Sequence, residues 1–393
     1  MRTLTIAVAI FCLTAMANAE PLFEETDVFV HGEHGVAEYR ILALVTTNEG
    51  TLLAVCDARV DRPGDAPNNI DLALKRSEDM GRTWTDHQVV VDLPGQMAAG
   101  DPCMLVDRQT GSIWIFYDHV YPSMEVLQEK APELTEGAHA GYKGRVLFLH
   151  AIHSDDDGRT WSEAMDLTPA VKQPDWIGAM SGPGMGIQTR DGRLIAPGYR
   201  RRAGDFAQDA SHFYYSDDHG ETWHVSATPG PRTNESQVVE LVDGSLMMNM
   251  RSMRGHHCRA VATTTDGGQT WSEIRDDTTL IEPRCQASFV RWTDERNGYA
   301  HNRLLFANPA SADSRTNMTA RLSYDEGQTW PVSKVVNPGP AAYSCLTILP
   351  DGTAGLLYEN VGQSDAAPGY EKITFARFNI EWLTDGEDSL QAR

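Results

Sequence analysis

The chain has 393 residues, 55 of them Asp or Glu against 33 Lys or Arg, for a formal charge of −22. A field this acidic excludes nucleic acid or an anionic membrane as a partner held by overall charge, so any bound anion has to meet a local arginine cluster. With 41% hydrophobic and 22% charged residues the composition is that of an ordinary globular protein.

The first 19 residues read as a secretory signal. Arg2 supplies the positive end, Ile6 to Met16 are largely apolar, and Ala17-Asn18-Ala19 forms a small-residue cleavage site. The apolar run is too short for a bilayer span, and no later stretch approaches about 18 consecutive apolar residues. The expectation is a chain exported to the periplasm or outside the cell, without membrane insertion, folding as one domain over residues 20–393. Once Cys12 leaves with the signal, Cys56, Cys103, Cys258, Cys285 and Cys345 remain. They show no C-x-x-C spacing, so they indicate neither a disulfide framework nor a zinc site, although one or two disulfides stay open.

Strand signals then dominate. Glu49-Gly50, Asp191-Gly192, Asp243-Gly244 and Asp351-Gly352 each precede a short apolar run, as tight hairpin turns do. Ser112 to Tyr117 and Arg145 to Leu149 are short β-rich runs. Ser77 to Trp84 has the pattern S-x-D-x-G-x-T-W, repeated at Ser154 to Trp161, Ser216 to Trp223 and Ser323 to Trp330. A copy starting at Thr264 ends at Trp271. The copies lie 77, 62, 48 and 59 residues apart, a spacing of one box per four-stranded blade. In each box the aspartate is expected to accept backbone amides of its own turn, the glycine to take a positive φ, and the tryptophan to pack between sheets. Asp155-Asp156-Asp157-Gly158 resembles a calcium loop, but His153 stands where a ligand belongs and no helices flank it.

Val126 to Lys143 breaks the rhythm and reads either as a loop over the face of the fold or as a surface insertion with a short helix. Ile373 to Leu383 reads as one strand, with Val28 to Val30 its expected partner, and residues 384–393 as a frayed tail. The resulting fold class is an all-β β-propeller of four-stranded antiparallel blades, and the five boxes imply at least five blades.

Between the boxes lie Tyr39-Arg40-Ile41-Leu42, Asn234-Glu235-Ser236, Asn249-Met250-Arg251-Ser252, Arg315 and Ala342-Tyr343-Ser344. With these segments the chain resembles the exo-α-sialidases, retaining glycosidases with Asp-box repeats, over essentially its whole length. The resemblance implies a six-bladed β-propeller, with one blade unmarked by a box. The resemblance implies that Arg40, Arg251 and Arg315 bind a substrate carboxylate; Leu42 stands where the family usually has proline. It further implies Tyr343 as nucleophile, Glu235 as its base, and Asp65 as acid/base, with Asp61 the alternative. Arg59 and Asp101 resemble further pocket positions, as do Ser181 to Gly186 and Trp176. The implied substrates are sialylated glycoproteins, glycolipids or oligosaccharides, with no metal or cofactor. A trans-sialidase, a hydrolase of a related nonulosonic acid and a non-catalytic glycan-binding propeller are the competing readings.

That residue set suits the chemistry. Sialic acid carries its carboxylate on the anomeric carbon, and three guanidiniums hold it by charge-assisted bonds. A carboxylate nucleophile would meet that like charge at about 4 Å, costing ~4 kcal/mol. A tyrosine stays neutral until its proton leaves for a neighbouring glutamate. His256-His257 has no partner at metal-ligand spacing.

Overall fold

The computed structural model describes residues 19–136, 138–141, 144–202, 206–361 and 370–390. Residues 1–18 of the expected signal lie outside these, as do residues 137, 142 and 143 of the insertion and 391–393 of the tail.

The described chain is all-β, built from short antiparallel meanders. After β1 (Phe23–Val30), strands β2 to β5 (Glu38–Thr46, Leu52–Arg59, Ile70–Ser77, Gln88–Val91) pair in order. Strands β6 to β9 (Ala98–Val106, Ile113–Tyr121, Val146–Ser154, Met165–Asp166) do the same. Next come β10 (Gly178–Ser181), β11 (Gly184–Met185), β12 (Ile187–Gln188), β13 (Leu194–Arg201), β14 (Ala210–Ser216) and β15 (His224–Val225), with β10, β13, β14 and β15 adjacent. Strands β16 to β19 (Thr233–Glu240, Leu246–Ser252, Cys258–Thr264, Arg275–Ile281) form a separate sheet. The last sheet joins β20 to β25 (Ser288–Thr293, Arg303–Pro309, Thr316–Ser323, Val332–Ile348, Ala354–Asn360, Lys372–Phe378), and β1 adds to its edge. Phe23 lies opposite Phe378, so the two ends of the chain pair as expected.

The boxes are scaffolding. In the first, Asp79 accepts the Thr83 amide at 2.9 Å and the Thr83 hydroxyl at 2.6 Å, while Ser77 Oγ accepts the Gly81 amide at 2.8 Å. The copy at Thr264 makes the same bonds, with Thr264 Oγ1 accepting the Gly268 amide at 3.0 Å. Threonine serves because only the β-hydroxyl is used. The box glycine has φ +86 at Gly81, and a Cβ there would stand 2.0 Å from the Phe375 ring. Glycine is required twice over, for its φ and for the close approach of a neighbouring sheet. Trp84 lies edge-on to Phe375, and Trp330 packs against Phe289 and Phe306.

Two expectations need correction. The apolar run after β25 is not strand: Ile380–Leu383 is a helical turn capped by Asn379, whose side chain accepts the Trp382 amide at 3.0 Å. The tail is anchored through residue 390, because Asp388 accepts from Nε and Nη2 of the buried Arg303 and from the Tyr324 hydroxyl. The insertion holds a helix at Met124–Lys130, with Leu127 buried beside Tyr121 and Phe148. None of its described residues lines the pocket described below; the helix packs on Met97, Tyr121 and Val146, at the ends of β6, β7 and β8. The five cysteines among the described residues are buried and unpaired there.

Candidate active site

A cavity of about 630 Å³ opens at the start of β2, β6 and β16 and midway along β23, where that strand passes from pairing with β22 to pairing with β24. Each of these strands breaks register there: between Arg40 and Leu42, Gly100 and Cys103, Thr233 and Ser236, and Ala341 and Ser344. Arg40, Asp101, Glu235 and Tyr343 sit at these four bulges. A bulge re-aims a side chain that regular pleating would bury against the sheet. At Ile41 the distortion forces φ to +50, rare for a β-branched residue. It is held by the Ile41 amide donating to Glu359 Oε1 at 2.7 Å.

All eight residues singled out from the sequence line this one cavity: Arg40, Arg59, Asp65, Asp101, Glu235, Arg251, Arg315 and Tyr343. Asp61 does not, which favours Asp65 of the two. Ser181 to Gly186 and Trp176 also fall outside the lining. That loop instead runs beneath the floor, where the Pro183 carbonyl accepts the side-chain amides of Gln237 and Gln286. Gln286 in turn exchanges both of its amide bonds with the backbone of Ser344, beside Tyr343. Trp176 is buried in a stack on His212.

At the centre, the Tyr343 hydroxyl donates to Glu235 Oε1 at 2.5 Å. Arg251 Nη1 bridges the pair, donating to Glu235 Oε2 at 2.7 Å and to Tyr343 Oη at 3.0 Å. Arg40 and Arg315 each lie 5.5 Å from the centre of the Tyr343 ring. Burial raises the Tyr343 phenol well above its usual range and the Glu235 carboxylate adds to this, against the pull of Arg251 and Arg315. Tyr343 is therefore a neutral phenol whose proton already points at an acceptor.

Asp65 lies at the rim with its side chain 78% exposed and accepts from Arg59 Nη2 at 2.8 Å. Desolvation inside the mouth pushes its carboxyl up, but Arg59, Arg40 and Arg145 outweigh that and hold it below its ordinary value. Asp101 behaves oppositely. Burial, then the Glu235 and Asp65 charges, raise its carboxyl to about 7 against Arg59 and Arg201. Asp57, whose Oδ1 accepts the Asp101 amide at 3.0 Å, and Asp118 are also raised, chiefly by burial.

Sequence reasoning passed over Glu359. This fully buried carboxylate takes Arg40 Nε at 2.8 Å and Nη2 at 3.0 Å, besides the amides of Ile41 and Tyr343. Its signal was an ionisable residue inside the apolar strand Leu356 to Asn360. His256 and His257 go to Asp276 and to the Ala312 carbonyl, and among the described residues no cluster of three His, Cys, Asp or Glu side chains could hold a metal ion.

A family described as BNR repeat-like domain matches residues 50–356. The chain is 42% identical over 380 residues to a sialidase of Micromonospora viridifaciens, covering 93% of this chain and 55% of that protein. The chain belongs to the sialidase family with BNR repeats. It is also 34% identical over 342 residues to a sialidase of Bacteroides fragilis (strain YCH46), covering 84% of this chain and 61% of the relative. It thus spans little more than half the length of these curated relatives. Among solved structures, the microbial sialidase Hz136 superposes with a TM-score of 0.78 at 35% identity, over 90% of this chain and 68% of the other.

Proposed function

We propose that this sialidase-family chain is an exo-α-sialidase that hydrolyses terminal α-linked sialic acids from glycoproteins, glycolipids or oligosaccharides with retention of configuration. The observation that carries this reading is the short Tyr343–Glu235–Arg251 chain of hydrogen bonds. Arg40, Arg251 and Arg315 hold the substrate carboxylate over the Tyr343 ring. Tyr343 Oη attacks the anomeric carbon as its proton passes to Glu235 Oε1, and the glycosidic bond breaks toward a leaving oxygen protonated by Asp65. In the second half, Asp65 takes a proton from water, the water oxygen displaces Tyr343 from the anomeric carbon, and Glu235 returns the phenolic proton. Two displacements give net retention.

Asp65 is ionised in the open site, yet the first step needs it protonated. A bound substrate carboxylate offsets Arg40 and covers the rim, and both effects raise the carboxyl of Asp65. We further propose that the meanders close into a six-bladed propeller, five of whose blades carry boxes. The chain is exported, after removal of residues 1–19.

The test is hydrolysis of a fluorogenic aryl α-sialoside by wild type and Tyr343→Phe. Wild type turns over, and the variant falls by on the order of 10³-fold in kcat, about 4 kcal/mol of barrier. Folded wild type without turnover overturns the hydrolase reading. NMR of the first-formed product reads the mechanism: free sugar in the α anomer supports retention, and an anhydro sugar assigns the chain to intramolecular transfer instead.

A further inference from the structure

Behind the pocket lies a buried ion pair with no part in the chemistry above. Arg259 on β18 is 0% exposed and Glu282, just past β19, is 1% exposed. Arg259 Nε donates to Asn249 Oδ1 at 2.6 Å and Nη2 to the Asn249 carbonyl at 3.3 Å. Its Nη1 donates to Glu282 Oε2 and to the Cys285 carbonyl, both at 2.8 Å. The second oxygen of Glu282 accepts the Ser252 amide at 2.7 Å.

These partners are placed around the carboxylate-binding arginines. Asn249 and Ser252 bracket Arg251 on β17. Cys285 follows Arg284, whose carbonyl accepts from Arg315 Nη2 at 3.4 Å. Cys285 also packs in one cluster with Ile41, Ala342 and Tyr343. A single ion pair therefore ties the strand carrying Arg251 to the segment that backs Arg315 and the tyrosine.

Arg251 and Arg315 are like charges close enough to oppose one another. Two such cations splay apart unless the backbone beneath them is fixed. A buried ion pair is a poor source of net stability, since an apolar pair of equal volume often does as well or better. What the pair supplies is direction, because a planar guanidinium with four satisfied contacts fixes the geometry of all its partners. We propose that Arg259 and Glu282 are positioning residues that hold Arg251 and Arg315 at one fixed spacing for a substrate carboxylate. This rests on the sialidase reading.

The experiment compares wild type, Arg259→Lys and the double variant Arg259→Met/Glu282→Met. Melting temperature, kcat and KM for the fluorogenic α-sialoside, and Ki for 2-deoxy-2,3-didehydro-N-acetylneuraminic acid are measured for each. The double variant is expected to melt within a few degrees of wild type while KM and Ki rise roughly tenfold, with a smaller change in kcat. A double variant of wild-type melting temperature, KM and Ki overturns the proposal. Should the double variant not fold, Arg259→Lys decides, because it keeps the charge but not the four-way fork. Raised KM and Ki in that variant support the positioning role, and wild-type values overturn it. A wild type that neither hydrolyses the sialoside nor binds the inhibitor overturns the sialidase reading and this one together, whereas unchanged variants beside an active wild type overturn this one alone.

Discussion

The aspartates of the boxes and those of the pocket are the same side chain in opposite circumstances. In the third box Asp218 accepts the Thr222 hydroxyl at 2.6 Å and the Thr222 amide at 2.9 Å, and these bonds, with Ser216, lower its carboxyl to about 2. Its lone pairs are filled by residues at most four positions away. Asp57, Asp101 and Asp118 are drawn from three different strand segments into one cavity, where burial outweighs their few partners and raises all three. A carboxylate satisfied by its own turn stays charged and inert. Carboxyls crowded together by the fold are raised, and Asp101 among them keeps its proton up to about 7. The most repeated motif is thus the least chemical part of the chain.

The largest expected effect breaks this contrast at the rim, where Asp65 belongs to the pocket yet is held below its ordinary value by Arg59, Arg40 and Arg145. Asp65→Asn removes the proposed acid, so substrates with a sugar leaving group should slow by roughly 10²–10⁴-fold in kcat/KM. Aryl sialosides need little protonation on departure and should lose far less. Equal losses on both substrates would remove Asp65 from the acid role. The same substitution at Asp325, in a box, is expected to leave both rates unchanged.

A smaller effect concerns stability and pH. Asp101 has a folded value of about 7, above the roughly 3.9 of an unfolded aspartate. Between those two values the folded chain keeps a proton that the unfolded chain releases, so wild-type stability falls as pH rises from about 4 to 7 and the loss is complete above 7. Asp101→Asn cannot ionise, and removing its charge also eases Asp57 and Asp118. Denaturant unfolding at pH 4.5 and 8 should show the variant gaining on wild type by roughly 1–3 kcal/mol across that interval. Parallel profiles would mean that Asp101 is not held protonated. Box aspartates have the opposite sign: their contribution is present above the unfolded value and lost as pH falls toward 2.

The same contrast sets what the sequence could disclose. The boxes were legible because every bond in them is local, and the paired chain ends because a strand announces itself by its own residues. The pocket was not legible from any segment alone, since Arg40 and Tyr343 are 303 positions apart and bulges, invisible in the pattern, aim them at one point. Family resemblance supplied that gathering. It named residues that line the cavity and missed Glu359, which lies outside that lining and holds Arg40. The tail was misread for a related reason: Asp388 looks solvated until Arg303, 85 positions earlier, is placed against it.

The smallest expected effect tests the scaffolding half of the comparison at the one degenerate box. Thr264 uses its hydroxyl three times, accepting the Gly268 amide at 3.0 Å and the Asp266 amide at 3.4 Å and donating to Asp266 Oδ1 at 2.8 Å. Its methyl group takes no part in those bonds. Thr264→Ser keeps all three, and should change unfolding free energy by less than about 1 kcal/mol. Thr264→Val keeps the shape but strands the buried Gly268 amide, for a loss of about 1–3 kcal/mol. Both variants should retain wild-type kcat/KM on the aryl sialoside, because Asp266 and its turn lie outside the cavity lining. A fall in activity for Thr264→Val at matched stability would instead couple the boxes to the pocket, and the two classes of aspartate would no longer be separable.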